Sequence, residues 1–334
     1  MHWRTCASII AAMLALAAVL RPAGRDVAVR LNCAGATQCP AGFHGVLLVS
    51  KAGIRKDIRS ANNDATFSGI DNTYTQVMAF RTGYKPAYEK DVVWKGASDP
   101  LRLNFENRVR LNIRIWVICP DSKGDCDKPL TAKREAQLKR FVTKANAVLD
   151  SETVGIQLAE AGGVLISDNA TTRSAASTYA KFKIDQCSAF ATWATKAQGV
   201  TWLPEVVNIY LVSTVRAKPG NGINCSRGVP QLIVVGAGTT WGTILHEVGH
   251  SLSLQDLPNP DVAWDGDQLD NFMRSESRQR KYFTEGEIYR IYQNDVSFLK
   301  GVDPPNFYCG SSDADADKQD PPCPKLQERV WPER

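Results

Sequence analysis

Two histidines and a glutamate lie within the segment LHEVGHSLSLQD, residues 245–256. His246 and His250 are four positions apart, so an α-helix would place both imidazoles on one face, where both can reach a single cation. Glu247 would project about 100° round the helix from His246, beside such a cation but not bound to it. An H-E-x-x-H sequence on a helix supplies two zinc ligands and a general base. The segment therefore predicts a catalytic site with one Zn²⁺.

A catalytic zinc ion takes three protein ligands and keeps one open position. The chain has 4 histidines in total. His2 lies in a predicted leader and His44 in a region of short strands, so a carboxylate is the expected third ligand. Asp256 follows His246 by ten residues, which is about 15 Å along a straight helix. The helix must therefore end after His250, and the chain must turn back, for Asp256 to reach the metal.

These residues resemble the zinc motif of the metzincin metalloproteases, H-E-x-x-H-x-x-G-x-x-H/D, in the aspartate variant of snapalysin-like enzymes. Downstream, DNFMRS at 270–275 is similar to the Met-turn of that family. The segment YFTEGEIYRIYQND at 282–295 is similar to the helix that follows the Met-turn in pappalysin-like members. The resemblance covers the C-terminal part of the chain, from about residue 109 to residue 300, and leaves residues 27–105 unexplained.

The resemblance implies a role for each matching residue. His246, His250 and Asp256 would bind zinc, and Met273 would form a hydrophobic floor for the site. Glu247 would activate a zinc-bound water and shuttle its proton. The implied function is that of a secreted zinc-dependent endopeptidase, a metalloendopeptidase that hydrolyses peptide bonds in protein or peptide substrates.

Two residues depart from the family pattern. Ser253 replaces the glycine at which the zinc helix turns, and a positive φ there would cost serine on the order of 1 kcal/mol relative to glycine. Ser275 stands where some metzincins carry a tyrosine close to the metal. Tyr282 and Tyr289 are near in sequence, but neither can be assigned that role from the sequence.

Two other functions stay open. One is a gluzincin-like metallopeptidase, in which a downstream glutamate is the third ligand; the candidates are Glu276, Glu285 and Glu287. The other is a catalytically degenerate metzincin fold that acts as a secreted binding protein, with zinc in a structural role. Ser253 favours the second alternative, whereas an intact Glu247 argues against it, because a structural site needs no base.

The pattern of the chain predicts an α+β protein in four parts. Residues 1–23 are a predicted signal peptide, since Arg4 precedes a short apolar run. Residues 24–105 are a predicted small all-β sandwich, either a propeptide that is removed or a permanent binding module. Residues 106–300 are a predicted metzincin-like domain with a twisted mixed β-sheet and long helices. Residues 301–334 are a Pro/Asp-rich, disulfide-linked tail.

Local patterns predict the individual elements. In the N-terminal part, GVLLVS, ATFSGI, YTQVMAF and DVVWKG are short β-prone runs separated by turn residues. In the C-terminal part, RLNIRIWVIC, VGIQLAEAG, VVNIYLVSTV and QLIVVGAG are predicted strands, and residues 131–149 have helical spacing. TYAKFKIDQCSAFATWATKAQ is predicted to be mostly helical, as is the segment from Thr284, the expected N-cap, to Val296.

The cysteines indicate an oxidising compartment. The chain has 9 cysteines, and 8 remain when Cys6 leaves with the leader. They fall into near-neighbour pairs that are candidate disulfides: Cys33 with Cys39, Cys119 with Cys126, Cys187 with Cys225, and Cys309 with Cys323. Secretion to the exterior is expected, or to the periplasm in a bacterium.

The composition limits the classes of binding partner that are expected. The hydrophobic content is 43%, the charged content is 22% and the net charge is +5, all typical of an ordinary globular protein. This charge is too small to indicate nucleic-acid binding, and no basic run with interleaved aromatic residues occurs. No stable membrane insertion is expected after the leader is removed, and a monomer is expected.

Overall fold

A computed structural model describes the chain in fifteen stretches. These are residues 24–36, 38–59, 62–118, 128–167, 178–179, 181–196, 202–203, 205–216, 221–225, 232–236, 238–257, 270–274, 280–293, 298–301 and 329–331. The predicted signal peptide, most of the tail, and Cys119, Cys126, Cys309 and Cys323 lie outside these residues. Within them the protein is a mixed α+β structure with 15 strands and four α-helices.

Eight strands form two four-stranded sheets in the N-terminal part. Their bounds are β1 Arg25–Cys33, β2 His44–Ser50, β3 Arg55–Arg59, β4 Asp64–Ile70, β5 Tyr74–Arg81, β6 Tyr84–Lys85, β7 Ala87–Glu89 and β8 Leu101–Asn107. The outer sheet has the order β4-β1-β8-β6, and the inner sheet has the order β3-β2-β5-β7. The two sheets share one apolar core, to which Val29, Leu31 and Phe105 contribute from the outer sheet and Val46 and Val77 from the inner sheet.

The prediction of a strand at DVVWKG is wrong. Residues 91–96 form no strand, although Val92 and Trp94 are buried in the core between the two sheets. Asp91 has a φ of 55° and Gly96 a φ of 113°, so the backbone leaves the extended region at both ends. The indole N–H of Trp94 donates to the carbonyl of Tyr74 at 2.8 Å. The apolar residues of this segment therefore anchor a loop and do not form a sheet.

The C-terminal part is built on a five-stranded central sheet with the order β10-β9-β12-β15-β14. Its strands are β9 Val109–Ile118, β10 Ile156–Ser167, β12 Val207–Val212, β14 Gly222–Asn224 and β15 Leu232–Gly236. Four of them are parallel, and the edge strand β14 is antiparallel to β15. Two short strands, β11 Lys181–Lys183 and β13 Thr214–Arg216, pair separately in parallel.

Helices cover both faces of the central sheet. The helices are α1 Lys128–Ser151, α2 Cys187–Lys196, α3 Trp241–Ser251 and α4 Glu285–Gln293. Alternate residues of β9 enter different cores, as expected for a strand that is buried on both faces. Ile113 and Ile115 pack in the core with α1 and α3, whereas Trp116 and Ile118 pack in the core with α2. The predicted helix at TYAKFKIDQCSAFATWATKAQ is only partly correct, because β11 and a 3₁₀ turn precede α2.

The inner sheet of the N-terminal part also packs against the C-terminal part. Leu47, Val49, Met78 and Phe80 belong to the same buried cluster as residues of α1, α3 and α4. Every residue of β2 and of β5 is buried, which requires cover on both faces of the inner sheet. The outer sheet, the inner sheet, the helices α1, α3 and α4, and the central sheet are therefore packed together through continuous apolar cores.

Two of the four candidate disulfides are present among the described residues. Cys33 pairs with Cys39, and Cys187 pairs with Cys225, as predicted from their spacing. The other two pairs lie outside the described residues. Within the part of the chain that the structure describes, none of the helices is both long enough and apolar enough to span a membrane.

Candidate metal centre

The H-E-x-x-H residues lie on α3, an amphipathic helix next to the edge of the central sheet. Thr240 is its N-cap, and the Thr240 side chain accepts a hydrogen bond from Thr243 N. Leu245 and Val248 face the main core. The spacing of four residues places both imidazoles on one face of α3. The Nε2 atoms of His246 and His250 are 3.2 Å apart.

Helix α3 ends in a Schellman turn with a serine in the left-handed position. Ser253 has a φ of 73°. Leu254 N donates to the carbonyl of Gly249 at 3.1 Å, and Ser253 N donates to the carbonyl of His250 at 3.1 Å, which is the hydrogen-bond pair of this motif. The turn therefore forms with serine where glycine is usual. It reverses the chain within a few residues and brings Asp256 back to α3.

His246, His250 and Asp256 form a group that could hold a metal ion. Asp256 Oδ1 lies 3.2 Å from His246 Nε2 and 3.6 Å from His250 Nε2. Tetrahedral ligands at zinc bond lengths of 2.0–2.1 Å are separated by about 3.3 Å from one another. The three separations of 3.2, 3.2 and 3.6 Å thus fit three corners of such a tetrahedron. Half of the Asp256 side chain is exposed, so the group opens toward solvent.

Backbone carbonyls orient both imidazoles. His246 Nδ1 is 2.7 Å from the carbonyl of Phe272, and His250 Nδ1 is 2.8 Å from the carbonyl of Leu254. A carbonyl can only accept, so each Nδ1 carries the proton and each Nε2 presents its lone pair to the metal position. Burial, and then the neighbouring His246, lowers the pKa of His250 to about 4, so this ring is neutral at physiological pH.

The predicted Met-turn packs directly against α3. Met273 is fully buried, and a Cβ on Gly249 would collide with its sulfur, so Met273 lies against the helix beside His250. Asn271 Oδ1 accepts a hydrogen bond from Met273 N at 2.6 Å. Leu257 N donates to the carbonyl of Met273 at 2.9 Å, which ties the chain after Asp256 to this turn.

Glu247 is buried beside the group, on the neighbouring face of α3. Burial raises the pKa of Glu247 to about 8, and the Asp256 carboxylate adds to this rise. The Arg280 guanidinium and a hydrogen bond from the Asn224 backbone oppose it. A metal cation held by the three ligands would lower this pKa further, because an adjacent positive charge favours the carboxylate.

The other carboxylates considered as third ligands are occupied elsewhere or lie outside the described residues. Glu285 Oε2 accepts a hydrogen bond from Val330 N at 2.7 Å, and Glu287 Oε2 accepts from Asn271 and from Thr284 N. Glu276 lies outside the described residues, as does Ser275. Among the residues that are described, Asp256 is the carboxylate that joins the two histidines.

Two side chains near the centre, those of Arg280 and Asn224, could not be found from the sequence. Arg280 Nη1 donates to the carbonyl of Phe272 at 3.0 Å, the same oxygen that orients His246. The stem of Arg280 also lies near Gly242, at the start of α3. Asn224, at the end of β14, contacts Glu247. Neither Arg280 nor Asn224 belongs to the zinc motif or to the Met-turn-like segment, and only the fold brings them to α3.

Comparison with known proteins adds little to this description. No family model matches the sequence, and no curated protein matches it. Among solved structures, one similar chain comes from a structure of a chaperone–substrate complex; it is 11% identical, with a TM-score of 0.35. The match covers 70% of this chain and 35% of that chain, so this protein spans about a third of the length of the chain it matches. A likeness at this level carries no argument about fold or function.

Proposed function

We propose that the protein is a secreted zinc-dependent endopeptidase of the metzincin type. The observation that carries this proposal is the triangle formed by His246 Nε2, His250 Nε2 and Asp256 Oδ1, with sides of 3.2, 3.2 and 3.6 Å, beside the buried Glu247. Three protein ligands and an open side are typical of a catalytic zinc site, whereas structural sites are closed by four. The disulfides Cys33–Cys39 and Cys187–Cys225 support secretion.

The donor set favours zinc among the common metals. Two neutral imidazoles and one carboxylate suit Zn²⁺, whereas Ca²⁺ and Mg²⁺ prefer six or more oxygen ligands. When bound, the metal supplies Lewis acidity to the scissile carbonyl and to a water. The carbonyls of Phe272 and Leu254 hold the imidazoles in the tautomer that such a site needs.

Glu247 is the proposed general base and acid. It is adjacent to His246 on α3, so its carboxylate stands beside the metal position without joining the ligand triangle. In the proposed reaction Glu247 accepts the proton of the attacking water and passes it to the departing amine. The Glu247 side chain itself is 5% exposed, which slows the exchange of its proton with bulk water between the two steps.

The variant Glu247→Ala tests this proposal. We expect it to lower kcat for an unstructured protein substrate by at least about 100-fold, the low end for loss of a positioned acid–base group. Its zinc content should stay at one ion per chain, because Glu247 is no ligand. Glu135→Ala, on an exposed part of α1, is the matched control and should keep full activity. Hydrolysis by Glu247→Ala at the rate of the unaltered protein would contradict the mechanism.

Zinc content also separates the proposed ligand set from the gluzincin-like alternative. Asp256→Ala should lose bound zinc, and Glu276→Ala should retain it. The reverse result would assign the third ligand to Glu276. An unaltered protein that binds zinc but hydrolyses no peptide would instead support the binding-protein alternative.

A further inference from the structure

The edge strand β14 contacts Glu247 through both the backbone and the side chain of its last residue. Asn224 Nδ2 donates to the backbone carbonyl of Glu247 at 2.7 Å and to Ser251 Oγ at 2.8 Å. The backbone N–H of Asn224 donates to the Glu247 carboxylate. Asn224 therefore holds the main chain of α3 at the level of Glu247 and also holds the end of the Glu247 side chain.

The strand also bounds the carboxylate on its other side. A Cβ built on Gly222 would lie 2.7 Å from Glu247 Oε1 and 2.9 Å from Glu247 Cγ. A side chain at this position would displace the Glu247 carboxylate from where it lies. Gly222 and Asn224 together confine the Glu247 side chain between strand and helix, where it is 5% exposed.

Other interactions fix β14 independently of the Asn224 side chain. Cys225 forms the disulfide with Cys187 on α2, and Cys225 N donates to the carbonyl of Leu232 at 2.8 Å. Ile223 pairs with Val234 of β15. Loss of the Asn224 side-chain amide would therefore release the main chain of α3 at Glu247 from the strand without removing the strand from the sheet. The hydrogen bond from the Asn224 backbone N–H to the carboxylate does not depend on this amide.

The sequence alone offers a different role for Asn224. The residues Asn224, Cys225 and Ser226 form an acceptor sequence for N-linked glycans. In the structure, however, the side-chain nitrogen that would carry a glycan already donates two hydrogen bonds to α3. The side chain is thus directed into the protein, toward the helix that carries the metal ligands.

We propose that Asn224 is a positioning residue that sets the location of the Glu247 carboxylate relative to the metal group. This inference rests on the proposed function, because it assigns Asn224 to the same reaction. A general base must lie within hydrogen-bond reach of the proton that it takes. A misplacement of about 1 Å can cost about 100-fold in rate.

The variant Asn224→Ala tests the proposal in the full-length secreted protein. We expect kcat to fall about 10-fold to 100-fold, with KM within about twofold, since ligands and substrate contacts are unchanged. Zinc content and thermal midpoint should stay near those of the unaltered protein. Asn104→Ala, which removes an exposed amide of β8 that contacts Asn32, is the matched control. An unchanged kcat, or a fall in kcat that only follows zinc loss, would overturn the proposal.

A second measurement does not depend on activity. In metal-free protein with ¹³C-labelled glutamate carboxyls, the Glu247 resonance is assigned by its absence in Glu247→Gln. We expect this resonance to shift in Asn224→Ala and to stay in place in Asn104→Ala. If the unaltered protein hydrolyses no peptide, the proposed function fails, but this comparison still decides whether Asn224 positions the carboxylate. A resonance that stays in place in Asn224→Ala would overturn the positioning role.

Discussion

At the scale of single residues, the turn at Ser253 shows how the chain tolerates a departure from its motif. The left-handed φ of 73° costs a non-glycine residue on the order of 1 kcal/mol. Ser253 Oγ donates to the carbonyl of Arg290 in α4 at 3.3 Å, a bond that contributes about 0.5–1.5 kcal/mol. The side chain that strains the turn therefore also ties it to the neighbouring helix, and the two effects nearly cancel.

Two substitutions at this position separate the effects. Ser253→Gly relieves the backbone and loses the hydrogen bond, so its free energy of unfolding should be close to that of the unaltered protein. Ser253→Ala keeps the strain and loses the bond, so it should be less stable than Ser253→Gly by about 1 kcal/mol. Urea unfolding of the metal-free proteins measures the difference. Equal stability of the alanine and glycine variants would show that the φ at this position carries no cost.

The positions of the candidate metal ligands follow from the sequence because spacing on a helix is a local property. The helical period alone predicts the relative positions of His246, Glu247 and His250. The scarcity of histidine in the chain indicated Asp256 as the third ligand. The carbonyl of Phe272 could not be predicted in this way, since every residue has a carbonyl and only the fold selects one. Asn224 and Arg280 were missed for the same reason: they reach α3 from distant parts of the chain.

At the scale of elements, α4 begins at a capping box that also supports the predicted Met-turn. Thr284, the predicted N-cap, accepts from Glu287 N at 3.1 Å, and Glu287 Oε2 accepts from Thr284 N at 2.7 Å. Glu287 Oε2 also accepts from Asn271 Nδ2 at 2.8 Å. Asn271 bonds Met273 N in turn, so one carboxylate links the start of α4 to the turn beside the metal group.

The buried position of Glu287 makes stability depend on pH. Burial raises the pKa of Glu287 from 4.5 to about 7, and hydrogen bonds from Thr284 and Asn271 only partly oppose the rise. The folded state thus retains a proton that the unfolded state releases at lower pH. The resulting stability is complete below about pH 4.5 and is lost as pH rises to about 7, a loss of about 3 kcal/mol.

The variant Glu287→Gln, which resembles the protonated side chain, isolates this effect. We expect its stability relative to the unaltered protein to increase by about 3 kcal/mol between pH 4.5 and pH 8, as measured by urea unfolding. Other titrating groups cancel in this difference. Glu135→Gln, on an exposed part of α1, should show no such trend. A difference that is constant with pH would mean that Glu287 titrates normally.

The strands were predictable where an alternating or continuous apolar run matched the sheet, as in β2, β5, β9 and β15. The apolar residues at 91–96 were misleading because a loop can also bury side chains. The segment before α2 was predicted as helix, whereas Lys181–Lys183 within it form β11. In both cases the apolar residues of the sequence indicate which side chains are buried. The part of the fold that packs over those side chains determines the backbone conformation.

At the scale of the whole molecule, the C-terminal Trp331 joins the two parts of the chain. Its ring contacts Phe43 and Phe80 of the N-terminal part, each at 5.7 Å between ring centroids. A Cβ on Gly45 would lie 2.8 Å from the ring, so β2 carries a glycine where the indole rests. Trp331 is 6% exposed and belongs to the same core as α1, α3 and α4.

We expect Trp331→Ala to lower the free energy of unfolding by about 3–5 kcal/mol, the usual cost of removing a large buried aromatic side chain. Val93→Ala, at a residue that is 83% exposed, is the control and should change stability by less than about 0.5 kcal/mol. Urea unfolding, followed with a single probe, measures the change in the free energy of unfolding for both variants. A small effect of Trp331→Ala would show that the tail contributes little to the core.

The same core bears on whether the N-terminal sandwich is a removable propeptide. Its inner sheet buries Leu47 and Met78 against the C-terminal part, and Tyr88 of β7 packs edge-on against Tyr289 of α4 at 4.9 Å. Removal of the sandwich would expose this apolar surface to water, which costs about 25 cal/mol for each Å² and favours aggregation. We therefore expect the active secreted protein to begin near residue 24. N-terminal sequencing and the intact mass of the active fraction measure this directly, and an active chain that begins near residue 108 would establish the sandwich as a propeptide.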